Sequence, residues 1–128
     1  MGFILSPSLI SLIENTPRLD SLNMDEFAAV MVLGGQSPMY TFIENTDLHN
    51  RFSKFFESGK PTAAICHGTC ILLKAKLSDG TLLINNKTWT GFANSEEEAA
   101  DEVVGMKIQP FWIENEAQKI DISFFQSV

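Results

Sequence analysis

Residues 62–68, Thr-Ala-Ala-Ile-Cys-His-Gly, constrain the fold more than any other stretch of this chain. A run of small and apolar residues leads directly into Cys66, with His67 beside it and Gly68 next. A buried strand uses this pattern to deliver a reactive side chain into a sharp turn at the start of a helix. Small residues at Ala64 and Gly68 let the backbone bend around Cys66 without side-chain clashes. A nucleophile on such a turn is exposed at the sheet edge, near the positive end of the following helix. That position and the adjacent imidazole both favour a thiolate. The plainer alternative is a buried cysteine packed as a small hydrophobe. The strand-to-helix position favours a functional Cys66, whereas Cys70, one helical turn later, reads as a packed residue.

The surrounding pattern is that of an α/β protein. Leu9, Leu12 and Ile13 mark a short amphipathic helix that ends near Pro17. Phe27–Leu33 is a continuous apolar run ending in Gly34-Gly35, the signature of a parallel strand buried on both faces. Asn45 or Thr46 caps a helix whose face is Leu48, Phe52, Phe55 and Phe56, and Gly59 stops it. Thr62–Ile65 is a second strand, followed by a helix from about His67 to Leu77. Asp79-Gly80 marks a turn, and residues 82–84 with 88–90 predict a short hairpin. Ser95 and Glu98 form a capping box opening an acidic helix through Val104. Pro110 opens a further helix over 111–120, and Ile122–Phe125 predicts a last strand. Strands alternating with helices give one domain, 1–128, with a mostly parallel sheet. Ligands bind beyond the carboxyl ends of such strands, where both Gly34-Gly35 and Cys66-His67 fall.

Composition closes off other classes. The net charge is −7, with the basic residues scattered, so no patch is available to neutralise the phosphates of a nucleic acid. No apolar run approaches the roughly 20 residues that span a bilayer, so no membrane partner is expected. Two cysteines are too few for a disulfide framework, which points to a reduced, cytoplasmic protein. No Cys/His spacing fits a zinc site, and no phosphate-binding glycine loop occurs.

Several residues join Cys66 as site candidates. On a sharp turn the imidazole of His67 can swing beside the sulfur as base or charge partner. A third group then orients it, and Glu96, Glu97 and Glu98 are the candidates; spacing does not choose among them. Their plain reading is an acidic first turn that complements the helix dipole. Gly34-Gly35 is either a simple tight turn or a backbone N–H donor that pairs with the His67 amide to hold an oxyanion. His49 reads as structural, and Trp89 and Phe92 as core residues, with Trp89 a possible pocket wall.

Val32-Leu33-Gly34-Gly35, Ala64-Ile65-Cys66-His67-Gly68 and Thr90-Gly91-Phe92-Ala93-Asn94-Ser95-Glu96-Glu97-Glu98, in this order, resemble the ThiJ/PfpI family. The resemblance covers residues 25–120 and is greatest to the branch of glyoxalase III-type chaperones. It implies the flavodoxin-like fold of class I glutamine amidotransferases, a mostly parallel sheet sandwiched by helices, incomplete in this chain. It further implies a cofactor-independent enzyme that converts a small reactive aldehyde, methylglyoxal, to D-lactate. In that scheme Cys66 attacks the aldehyde carbon to form a hemithioacetal, His67 shuttles protons and Glu97 orients His67. Gly34 and Gly35 bind the oxyanion, and no metal is used. Chaperone and deglycase activities are also attributed to the family.

Two departures from the family pattern stand out. The family continues Gly-Gly-His-Gly where this chain has Gly35-Gln36-Ser37. No position here matches the glutamate that contacts the nucleophilic sulfur in the family, nor its closing strand and helix, so the chain reads as the central part of a longer domain. Open sheet edges then invite pairing with another copy, and a homodimer is expected. Two competing functions follow. One is a non-catalytic, stress-responsive chaperone or redox sensor in which Cys66 oxidises without turnover, or an inactive fragment of the enzyme. The other, a glutamine amidotransferase subunit, needs a late His-x-Glu pair, and no histidine follows His67.

Overall fold

Two short parallel strands, β1 (Val30–Val32) and β2 (Thr62–Ala64), pair in the register Val30–Thr62, Met31–Ala63 and Val32–Ala64. The structure is a computed structural model that describes residues 6–120. The ladder is extended at both ends. Val30 N–H donates to Pro61 O, and Ile65 N–H donates to Val32 O, each at 3.0 Å. Helix α1 (Pro7–Glu14) precedes β1, and α2 (Pro38–Thr41) and α3 (Thr46–Glu57) form the crossover to β2. A 3-10 helix (Cys66–Leu73), α4 (Asn94–Val104) and α5 (Ile113–Lys119) follow. The architecture is α/β, as the alternation of elements predicts, and flavodoxin-like, as the family resemblance implies.

Helix α3 forms as its sequence dictates. The Asn45 side chain accepts from Leu48 N–H at 3.0 Å, and Gly59 ends the helix at φ +73°. Phe52 and Phe55 are buried by the apolar face so defined. The core gathers Met39, Phe52, Cys70, Ile71, Ile84 and Ile113. Ile71 and Cys70 sit at its centre, so the 3-10 helix that carries Cys66 is anchored from behind. Burial of such side chains is worth about 1.5–3 kcal/mol each, enough to hold a strained turn at the helix start.

Four expectations change. Residues 27–33 are not buried on both faces: Val32 is 5% exposed, but Met31 is 53% and Leu33 62%. Val32 joins the core and Val30 packs against it while Met31 and Leu33 face away, so side chains alternate with the two-residue period of a strand. The hairpin expected over 82–90 does not form. Leu82 instead bridges antiparallel to Lys76 around the Asp79-Gly80 turn, and residues 83–86 continue as turns. This places Leu83 and Ile84 in the core. The capping box shifts by two residues: Glu96 Oε2 accepts from Ala93 N–H at 2.8 Å, and the helix starts at Asn94. Ala93 has no side-chain acceptor, so only this half of the box exists. The helix after Cys66 is a 3-10 helix that ends at Leu73 rather than continuing to Leu77. The strand expected at Ile122–Phe125 lies outside the described residues. Among those described, no helix is long and apolar enough to cross a membrane.

Candidate active site

Cys66 stands where β2 ends and the 3-10 helix begins, with its backbone in the left-handed region at φ +55°. A non-glycine residue held there stores strain that the surroundings must overcome. Three contacts hold it. Gly68 N–H donates to Ile65 O at 3.0 Å, and Thr69 Oγ1 donates to Cys66 O at 2.7 Å. The third is steric. A Cβ at Gly34 would lie 2.5 Å from Cys66 Cβ and 2.9 Å from its Sγ. A Cβ at Gly68 would lie 2.6 Å from Leu33 O and 2.8 Å from Val32 O. The loops after β1 and β2 can therefore approach only because both positions are glycine.

The side chains of the elbow form a relay. Cys66 Sγ lies 3.6 Å from His67 Nδ1, and His67 Nε2 lies 3.0 Å from Glu97 Oε1. With its proton on Nε2, His67 donates to Glu97 and leaves the Nδ1 lone pair to face the thiol. His67 is 6% exposed and Glu97 1%. Burial holds the Glu97 carboxyl above its ordinary pKa, and the hydrogen bond from His67 opposes that shift. Phe92 stacks on the imidazole, ring centroids 4.1 Å apart, and fixes the ring plane.

Tertiary docking selects Glu97 from the three glutamates. Asn94 N–H donates to Glu114 Oε2 of α5 at 2.7 Å, and Asn94 Nδ2 donates to Asn115 Oδ1 at 2.8 Å. These bonds set the rotation of α4 so that Glu97 points inward. Glu96 and Glu98 remain exposed. Of the two glycines after β1, Gly34 packs against Cys66 and lies beside the His67 amide. Gly35 does not: at φ +103° it turns the chain, and nothing lies within 4 Å of the place its Cβ would take.

The other candidates fall outside the relay. Cys70 is fully buried, its thiol is pushed up to about 12 by burial, and Sγ donates to Pro38 O at 3.5 Å. His49 is buried and bonds Phe42 O through Nε2 at 2.8 Å; burial lowers its pKa. Trp89 packs in the core. No group of His, Cys, Asp and Glu among the described residues could hold a metal ion. The sequence alone does not mark Thr69 or Glu114; the hydroxyl three residues after Cys66 is the one local signal that it offers.

A cleft of about 380 Å³ opens over Cys66, walled by Ile65, Thr69, Thr90, Phe92 and Glu96. A larger cleft of about 590 Å³ lies between Tyr40, Lys74, Phe111 and Ile120, but none of Cys66, His67 or Glu97 lines it. Chemistry rather than size marks the smaller one as the candidate site.

A profile of the DJ-1/PfpI family matches residues 13–107. The chain belongs to the DJ-1/PfpI family. The Gly34-Gly35 turn, the elbow and the Glu96–Glu98 cluster of this DJ-1/PfpI chain fall inside the matched region. It is 30% identical over 86 residues to the probable glutathione-independent glyoxalase hsp3104 of Schizosaccharomyces pombe, covering 67% of this chain and 39% of that protein. It is 39% identical over 61 residues to deglycase TK1284 of Thermococcus kodakarensis, covering 48% of this chain and 36% of the relative. The fold superposes on the Rapid Encystment Protein 24 KDa of Francisella tularensis with a TM-score of 0.84 and 25% identity. That match covers 98% of this chain and 55% of the other. The chain thus spans well under two thirds of the length of these relatives.

Proposed function

We propose that this chain carries a glyoxalase III-type site that converts methylglyoxal to D-lactate without an added cofactor. The observation that carries the reading is the relay Cys66 Sγ–His67 Nδ1 at 3.6 Å and His67 Nε2–Glu97 Oε1 at 3.0 Å, opening on a small cleft. The names of the relatives, a probable glutathione-independent glyoxalase and a deglycase, support it.

The chemistry is redox-neutral overall: methylglyoxal and water give lactate and a proton. His67 Nδ1 takes the thiol proton, and the Cys66 sulfur bonds to the aldehyde carbon. The aldehyde oxygen becomes an alkoxide, held by the His67 amide with the Gly34-Gly35 turn, and receives the proton from the imidazolium. His67 next takes the hydrogen of the former aldehyde carbon as a proton and passes it to the ketone oxygen, giving an enediol. The hydroxyl on the sulfur-bearing carbon then gives up its proton as the former ketone carbon gains one through His67. One carbon is oxidised as its neighbour is reduced, and a thioester results. Water cleaves the C–S bond, releasing lactate and the Cys66 thiol. Glu97 keeps the imidazole in the right tautomer through both proton transfers. A reducing, cytoplasmic setting would keep Cys66 available as a thiol.

The test is D-lactate formation from methylglyoxal by the purified chain, compared with Cys66→Ala. Measurable D-lactate from the wild type and none from the variant is expected. Equal rates sink the reading.

A further inference from the structure

The cleft over Cys66 has one charged wall, and it is negative. Among the described residues, and apart from Cys66 itself, Glu96 is the only ionisable side chain lining it; the neighbours Ile65, Thr69, Thr90 and Phe92 are neutral, and no described lysine or arginine faces it. Glu96 belongs to none of the ion pairs among the described residues. Its carboxylate is also held in place. Oε2 accepts from Ala93 N–H at 2.8 Å, next to the Phe92 that stacks on His67. The side chain therefore cannot leave the rim without uncapping α4. The net charge of −7 adds a field of the same sign.

We propose that Glu96 makes the Cys66 cleft a charge filter, which admits neutral 2-oxoaldehydes and turns away anionic aldehydes such as glyoxylate. The substrate class rests on the glyoxalase reading, but the effect on the sulfur is measurable without turnover. At a separation of several ångströms and an effective dielectric between protein and water, one carboxylate changes the local concentration of a monoanion by about fivefold. Neutral molecules of the same size are unaffected.

Two alkylating reagents of nearly equal shape isolate the effect. Cys66 sulfur displaces iodide from neutral iodoacetamide or from anionic iodoacetate, and peptide mass spectrometry reads the rate at Cys66. Each rate is normalised to N-acetylcysteine at the same pH. Glu96→Gln keeps an oxygen to accept from Ala93 N–H while removing the charge. Glu98→Gln, on the exposed side of the same helix, makes the same change in net charge. The expected result is a wild-type preference for iodoacetamide about fivefold above that of Glu96→Gln, lost in 1 M salt and retained in Glu98→Gln. Equal ratios in wild type and Glu96→Gln, or an equal shift in Glu98→Gln, overturn the proposal. In the turnover assay, glyoxylate, which can add to the sulfur but has no ketone carbon to be reduced, acts as an inhibitor, and Glu96→Gln is expected to lower its inhibition constant against methylglyoxal by the same factor. A shifted alkylation ratio without D-lactate from any form leaves the filter standing and rejects the glyoxalase reading. D-lactate with an unshifted ratio does the reverse.

Discussion

His67 and Glu97, 30 positions apart in the chain, share a hydrogen bond of 3.0 Å in which both side chains are buried. The Glu97 carboxyl is held above its ordinary value of 4.5, chiefly by burial. The native state therefore binds that proton more tightly than the unfolded chain does. The stabilisation is full below pH 4.5 and is lost as pH rises from there through the raised native value. Glu97→Gln removes this loss while leaving an oxygen to accept from His67. The melting temperature of the variant is expected to gain on that of the wild type between pH 4 and 7, by about 2–5 °C. D-lactate formation is expected to fall by about 10²–10⁴-fold. Paired thermal melts and turnover assays check both; a variant that loses stability at pH 7 contradicts the burial argument.

The glycines of the two loops should separate by mechanism. Gly34→Ala meets Cys66 Cβ and Sγ, and Gly68→Ala meets two backbone carbonyl oxygens. Neither neighbour can move away cheaply, so each should cost about 2–3 kcal/mol in urea unfolding and slow alkylation of Cys66. Gly35→Ala meets nothing and pays only for its φ of +103°, about 1 kcal/mol. A larger cost at Gly35 than at Gly34 would contradict the packing described.

The two cysteines should behave as different chemical species. Cys66 lines an open cleft, whereas Cys70 is fully buried with its thiol pushed up to about 12. Mild peroxide, followed by peptide mass spectrometry, is expected to oxidise Cys66 and to leave Cys70 intact in the folded chain. Cys70→Ala should cost about 1–2 kcal/mol of stability and leave the oxidation of Cys66 unchanged.

Phe92 both walls the cleft over Cys66 and stacks on His67, and its effect through His67 is expected to dominate. Phe92→Leu keeps an apolar side chain but removes the ring stacked at 4.1 Å. The expected result is a kcat lowered about tenfold with KM nearly constant, and broadened His67 ring signals in NMR. Sharp ring signals with a raised KM would place Phe92 in substrate binding instead.

Local sequence determined a good part of this protein. Asn45 and Gly59 bound α3 because capping and a left-handed stop act within a single turn. The run into Cys66 fixes the elbow, since the small residue at Gly68 is required by carbonyl oxygens only 2.6 and 2.8 Å from its missing Cβ. Matters of facing were decided only by the tertiary structure. Helix α4 turns its Glu97 inward and leaves Val103 86% exposed, against the hydrophobicity of its own sequence, because Glu114 and Asn115 of α5 grip its first residue. Met31 and Leu33 face outward although their run is uniformly apolar, because only the alternate residues Val30 and Val32 meet the core. Leu83 and Ile84 leave the expected hairpin because burial in the core outweighs a short ladder. A cap or a turn is settled among neighbours in the chain. Which of three adjacent glutamates reaches a histidine 30 residues away depends on the rotation of a whole helix, and contacts distant in sequence set that rotation.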